Sequence, residues 1–366
     1  MKKLWLLMPI LCCLVMAGCV QTKILEDILL IQSIGYDSAG EHLMKGTFGY
    51  SKYSGSKAGN PQPFYYQAYA RTTKHIKEEV NSESAKPLEL GQLRLVVFGK
   101  KRAKQGVEHI VDTLIRDPEV GTNVYLTVAD GKAEDLLTRT YSDTTYPVPS
   151  MYITNMFDQN IRTQNLPTTN LHVFAYYLYD KSSDALLPLI GIKEGHPALK
   201  GLAFFHGGRY VAKIGTAGLF VFERLYENAP SGIFQLTVSH KGEKALTAVR
   251  TIKTSRSYTV KNAEKIPDVT IHVKMKAMIV DKTDKLDFSR EETIDLVEQT
   301  MIKKFEKQAE EMIRRFQKKG IDPLGIGSEV KSRDRNWDYK EWRKIYPKIK
   351  VHVQAKVDIR ETGAIE

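Results

Sequence analysis

Between Ile349 and Arg360 the chain alternates strictly. Ile349, Val351, Val353, Ala355, Val357 and Ile359 fall on one face, and Lys350, His352, Gln354, Lys356, Asp358 and Arg360 on the other. A period of two predicts a strand with one buried and one solvated face. The stretch before it has a different period. Ile294, Val297, Met301, Phe305, Ala309, Met312 and Phe316 recur every three or four residues, which predicts a long amphipathic helix over 290–319. Ser289 followed by Glu292 reads as a capping box at its start. Gly320 reads as its stop, and Pro323 prevents its return. Ahead of the helix, Ile233–His240, Ala245–Val260 and Val269–Asp281 alternate like strands of a meander. Leu202–His206 and Arg209–Ile214 flank Gly207-Gly208, a hairpin signal, and Ala217–Leu225 suits a short helix.

The N-terminal half has shorter elements. The pattern predicts strands at 24–36, 43–51 and 64–70, with a surface loop at 51–63, where Ser, Gly, Lys and Pro dominate. A helix is expected over 72–84, a fully apolar strand over 93–98, and a helix over 103–116 that Asp117-Pro118 stops. A strand at 124–128 and a short helix at 131–137 follow. Residues 142–170 show no clear period and are expected to be irregular. His172 to Tyr179 reads as an aromatic strand. Strand–helix–strand–helix order points to an α/β arrangement. The expectation is a mixed α/β (α+β) multidomain protein. It has an N-terminal mixed α/β region over 19–197, in which 37–85 has the makings of a separate subdomain. A C-terminal domain over 198–366 follows, an antiparallel β-meander packed with the long helix.

The first 19 residues belong to neither region. Lys2 and Lys3 precede an apolar run from Leu4 to Val15, and Met16-Ala17-Gly18-Cys19 follows. Small residues ahead of a cleavage point mark a signal peptide, here 1–18. The run is too short to span a bilayer, which takes about 20 residues. A cysteine at the first mature position resembles the bacterial lipobox, with Met16 where leucine is usual. Cys19 is then the lipidation site, carrying S-diacylglycerol and an N-acyl group. Two or more acyl chains anchor firmly where one binds marginally.

Removing the signal changes the chemistry available. Cys12 and Cys13 leave with it, so Cys19 is the only mature cysteine, and neither a disulfide framework nor a thiolate metal cluster can form. The formal charge of +11 falls to +9 once Lys2 and Lys3 are gone. Such a surface attracts anionic lipid head groups. No nucleic-acid-binding motif accompanies the charge, and no nucleic-acid partner is expected.

A catalytic grouping is not visible. The nine histidines (42, 75, 109, 172, 196, 206, 240, 272 and 352) never pair at metal-ligand spacing. His240, His272 and His352 sit in strands beside charged residues, as solvated-face positions do. There is no nucleophile elbow and no phosphate-binding glycine loop; Gly325-Ile326-Gly327 reads as a turn. Glu291-Glu292 and Glu310-Glu311 suit surface pairs with Lys303, Lys307, Arg314 and Arg315. Phe174, Tyr176, Tyr177 and Tyr179 suit core plus interface. Neither a catalytic residue, a metal nor a cofactor is expected.

The order of short motifs is more informative. Gly35-Tyr36-Asp37 comes first. Leu88-Glu89-Leu90-Gly91-Gln92-Leu93-Arg94 leads to Val96-Val97-Phe98-Gly99 and then to Gly106-Val107 and Arg116-Asp117-Pro118-Glu119. Val128-Ala129-Asp130-Gly131-Lys132-Ala133 follows. Asp322-Pro323-Leu324-Gly325 comes after the long helix, with Trp337 and Trp342 before the last strand. In this order and spacing, together with Cys19, the chain resembles the C subunit of spore-germination (germinant) receptors, a lipoprotein family. The resemblance implies three mixed α/β domains and no catalysis. It implies a subunit held by its lipid on the outer face of the spore inner membrane, beside two integral-membrane subunits of A and B type, in a complex that triggers germination in response to nutrients. The alternative is a solute-binding lipoprotein of a transporter, which two similar α/β lobes would favour. A membrane-tethered enzyme is a third possibility, disfavoured by the missing catalytic grouping.

Overall fold

The structure is a computed structural model and describes residues 24–52, 61–141, 148–240, 242–282 and 286–362. Its first sheet is built outward from β1 (Leu29–Ser38). Hairpin partners β2 (Met44–Lys52) and β3 (Gln62–Ala70) extend it antiparallel on one side. Helix α1 (Thr73–Glu83) begins where the Thr72 hydroxyl accepts the His75 N–H, and its Ile76 and Val80 are fully buried. After the short β4 (Leu88–Glu89), β5 (Leu95–Gly99) returns parallel to β1. The described strands and helix of 37–85, β2, β3 and α1, therefore belong to this sheet and its core.

The helix expected over 103–116 is two helices, α2 (Lys100–Gln105) and α3 (Glu108–Arg116). Gly106 between them takes a φ of 124°, a conformation side chains of L-residues rarely adopt. Strand β6 (Tyr125–Ala129) and helix α4 (Ala133–Leu137) follow as expected.

The next two elements correct the sequence reading. Within 142–170, α5 runs from Pro149 to Arg162. Proline suits a first helical turn because its missing N–H would have no partner there, and Ile153 and Phe157 reach the core at helical spacing. His172 to Tyr179 is not a strand but most of α6 (Leu171–Tyr179). Asn170 caps it by accepting the Val173 N–H at 2.9 Å. Leu171, Phe174 and Ala175 face inward, while Tyr176 and Tyr179 are 62% and 51% exposed.

Strand β7 (Leu186–Lys193) adds parallel to β6, and β8 (His196–His206) and β9 (Arg209–Gly215) add antiparallel. The described sheet runs β3-β2-β1-β5-β6-β7-β8-β9, with β4 beside β1. Strand β8 runs across the expected boundary between 197 and 198, so residues on both sides of it share one sheet. Helices α1, α2, α3 and α6 cover one face of this sheet, and α4 and α5 cover part of the other.

The second half closes over that other face. Helix α7 (Leu219–Tyr226) leads to β10 (Gly232–His240), β11 (Glu243–Lys261) and β12 (Asp268–Lys282), a three-stranded antiparallel meander. Helix α8 (Glu291–Lys319) packs on it. The core is continuous between the two sheets: the Phe204 ring of β8 lies 5.3 Å from Phe222 of α7 and 4.8 Å from Phe316 of α8. Val297, Met301, Phe305, Met312, Ile313 and Phe316 of α8 are all at most 3% exposed. Burying each contributes roughly 1.5–3 kcal/mol, whereas a surface pair such as Arg314–Glu310, 3.5 Å apart, is worth about 0.2–0.5 kcal/mol. Burial, not the charged flank, holds α8 in place.

Helix α8 starts differently from the capping box expected of it. Ser289 spends its hydroxyl on Asp287 at 2.6 Å, and Arg290 occupies the N-cap without a side-chain cap bond. Its end is as expected, at Gly320 in the left-handed region. Short helices α9 (Ile326–Lys331) and α10 (Tyr339–Ile345) lead to β13 (Lys350–Thr362). This last strand pairs parallel to β12, so the sheet is not wholly antiparallel. A connection that carries α8 can return a strand in the same direction, which a tight hairpin cannot.

Candidate functional site

Three acidic residues of the sequence motifs, Asp37, Glu119 and Asp322, have a common use: they hold backbone N–H groups. Asp37, at the end of β1, accepts the N–H groups of Ala133 and Glu134 at 2.9 Å each and so caps α4. A Cβ built on Gly99 would overlap this carboxylate, which explains the glycine that ends β5. Burial raises the Asp37 pKa against the pull of the two bonds. Beside it, Lys45 and Gln67 hold Glu134 at 2.7 and 2.9 Å, and the Lys45 bond lowers the Glu134 pKa. Two motifs distant in sequence, at 35–37 and 128–133, thus meet at one helix start. Similarly, Glu119 accepts the Leu90 N–H at 3.2 Å, joining the Arg116–Glu119 turn to the 88–94 segment.

The third junction joins the two halves. Asp322, 1% exposed, accepts from Ile326 N–H at 3.1 Å and Gly327 N–H at 2.6 Å. It caps α9 in place of Gly325, which has no side chain to do so. The Asp322 N–H donates to Asp184 Oδ2 at 2.6 Å, and the Asp184 N–H donates back to the Asp322 carbonyl at 2.9 Å. Arg343 reaches Asp184 at 3.1 Å and also binds the Gly320 carbonyl. His206 Nδ1 lies 2.8 Å from Asp184 Oδ1. Burial pushes the Asp322 carboxyl up to about 7. Trp342, 2% exposed, packs over Gly327. A cavity of about 260 Å3 with mixed polar and apolar walls opens beside Asp184, His206 and Arg343.

A second feature is electrostatic. On the outer face of the C-terminal sheet, Lys253 stands directly opposite Lys276, and Lys274 opposite Lys356. All four are exposed. Like charges at cross-strand positions repel and weaken the sheet. Exposed Ile233, Leu246 and Ile252 lie on the same sheet, at 49%, 60% and 48%.

The other sequence candidates are dispersed. Cys19 and the signal lie outside the described residues, as does the His240 side chain. His272 is half-buried and bonds Thr259 at 2.9 Å; His352 is exposed. Among the described residues, no three His, Cys, Asp or Glu side chains come together as metal ligands do. No described helix is long and apolar enough to cross a membrane. Tyr177 packs on Tyr226 with ring centroids 6.4 Å apart. The sequence reading named the Asp37, Glu119 and Asp322 motifs without assigning them a job. Only Asp322 carried a usable signal, an acidic residue a few positions ahead of the helix start at Ile326.

Comparison with known proteins adds context. A model of the spore germination protein N-terminal domain matches residues 21–192, and a model described as spore germination B3/GerAC like, C-terminal, matches 200–363. The chain is 33% identical over 364 residues to the spore germination protein GerQC of Bacillus cereus, covering 100% of both chains. It is 20% identical over 377 residues to the putative spore germination protein YfkR of Bacillus subtilis, covering 98% of this chain and 96% of that one. The crystal structure of the GerBC protein matches with a TM-score of 0.58 at 16% identity, covering 89% of this chain and 96% of that chain, a likeness of fold.

Proposed function

Since the chain belongs to the spore germination protein family whose N- and C-terminal models it matches, we propose that it is the lipid-anchored, non-catalytic subunit of a germinant receptor in the spore inner membrane. Cys19 carries the diacylglycerol and N-acyl groups, and the folded part stands on the outer face. Two integral-membrane subunits, of A and B type, are its partners in the nutrient-triggered response. The observation that carries this reading is the likeness to GerQC over the full length of both chains.

Two structural observations support it. The motif acids Asp37, Glu119 and Asp322 are spent on backbone N–H groups, which suits a scaffold better than a catalyst. The row of exposed lysines 253, 274, 276 and 356, with Asp358 opposite Lys276 as its one acid, suits a protein held close to anionic head groups, where each cation gains about 1 kcal/mol.

The test is replacement of Cys19 by Ala in the full chain. The variant is expected in the soluble fraction, with an intact mass lacking the acyl groups, and with an impaired germination response. A variant that stays with the membrane at an unchanged level would contradict the anchor.

A further inference from the structure

The edge of β13 is closed by the protein itself. Glu298, Glu306 and Glu310 of α8 accept the outward N–H groups of Ile359, Ala355 and Val353 at 2.6, 2.8 and 3.5 Å. The edge of β9 is treated in the opposite way. It pairs with β8 on one side only, and among the described residues no backbone hydrogen bond reaches Tyr210–Ile214 from the other side. A groove of about 500 Å3 runs along this edge, between α2 and the C-terminal turns of α8. Its floor is apolar, from Val211, Ile214, Met312 and Phe316. Its walls carry Lys100 and Lys104 on the α2 side and Arg315, Lys318 and Lys319 on the α8 side, with Lys213 on the strand itself.

No carboxylate lines the groove. Asp130, below it, engages Lys100 at 2.7 Å and Lys213 at 4.0 Å. Lys104, Arg315, Lys318 and Lys319 are exposed and make no ion pair among the described residues. Cations favour helix C-termini, which accounts for their presence on α2 and α8. It does not account for both ends flanking one unpaired strand. Lysine on an edge usually deters pairing, but Lys213 leans toward Asp130, and Val211 beside it is 40% exposed.

We propose that this groove receives an extended acidic segment of a partner chain, which adds to β9 as a further strand. Strand addition uses the main-chain groups for affinity and the alternating side chains for selection. Successive side chains of an added strand point to opposite faces. Here α2 lies on one face of the sheet and α8 on the other, so carboxylates on both faces of the segment meet cations. Five residues of β9 offer roughly 16 Å of edge at about 3.3 Å per residue. The inference goes beyond receptor membership, since it names the chemistry of a contact.

The test uses the full chain in a neutral detergent and a fluorescent, end-blocked peptide of three Glu-Glu-Val repeats. Anisotropy is expected to show saturable binding, with slowed hydrogen exchange at Tyr210–Ile214. A Gln-Gln-Val peptide should bind at least about tenfold more weakly, as should the acidic peptide to the Lys104→Glu/Lys318→Glu/Lys319→Glu variant. A Glu-Glu-Pro peptide keeps the charge but cannot supply the strand N–H groups, and it too should fail. Equal binding of the proline peptide, or no protection of β9, would overturn strand addition. Vesicles of about 30% phosphatidylglycerol that bind through these lysines while the peptide does not would overturn it in favour of lipid. No membrane subunit is present in the test, so its outcome is separate from the receptor reading.

Discussion

Replacing Asp322 by Ala tests whether the motif acids are structural latches. The change removes the acceptor for two N–H groups, those of Ile326 and Gly327, at a start of α9 where both residues are buried. An orphaned buried donor costs about 1–3 kcal/mol, so the Ala variant should lose about 2–6 kcal/mol. Asn keeps one oxygen and places an amide against the second donor, so Asp322→Asn should lose about half as much. Chains of this length seldom unfold in one step, so the readout must be local. Trp342 packs on Gly327, and in a Trp337→Phe background its fluorescence during urea unfolding reports this junction. Hydrogen exchange at Ile326 and Gly327 should rise in the order wild type, Asn, Ala. An Ala variant within about 0.5 kcal/mol of wild type, with unchanged exchange, would refute the latch.

Three further outcomes follow from the geometry. Gly99→Ala places a Cβ into the Asp37 carboxylate; overpacking of this kind costs about 1–3 kcal/mol, and a melting temperature equal to wild type would count against the α4 cap. Glu223 is fully buried, and burial, together with the neighbouring Glu227 carboxylate, raises its pKa well above 4.5. The folded state then binds the proton more tightly than the unfolded state. The stabilisation is full below the ordinary carboxylate range and is lost as pH rises through the raised value. Glu223→Gln should therefore flatten the fall in stability as pH rises above the ordinary carboxylate range, measured by urea midpoints; an unchanged slope would exclude this group. Replacing Glu298, Glu306 and Glu310 by Ala frees the β13 edge, and light scattering should show association that the wild type lacks.

How far the sequence led depends on the contrast between positions. Strand β13 and helix α8 were readable because apolar and charged residues alternate cleanly at one period. Helix α6 was not, because Leu171–Tyr179 is nearly all apolar or aromatic, so a period of two and one of 3.6 fit equally. Its Asn170 cap was the distinguishing signal. Helix α5 was hidden by polar residues, and Pro149 was its mark. The parallel return of β13 depends on the crossover through α8, not on local alternation. The motifs identified the family but not their roles, because a cap is a contact between segments: Asp37 and Ala133 are 96 residues apart, a pairing that only the folded chain displays.

The central claim is membership in a membrane receptor, and co-purification tests it most directly. The full chain is expressed with its genetic neighbours and recovered from detergent-solubilised spore inner membrane. The account predicts two polytopic membrane proteins in fixed proportion to it. Recovery of the chain alone, or with a transporter's permease and ATPase, would contradict it.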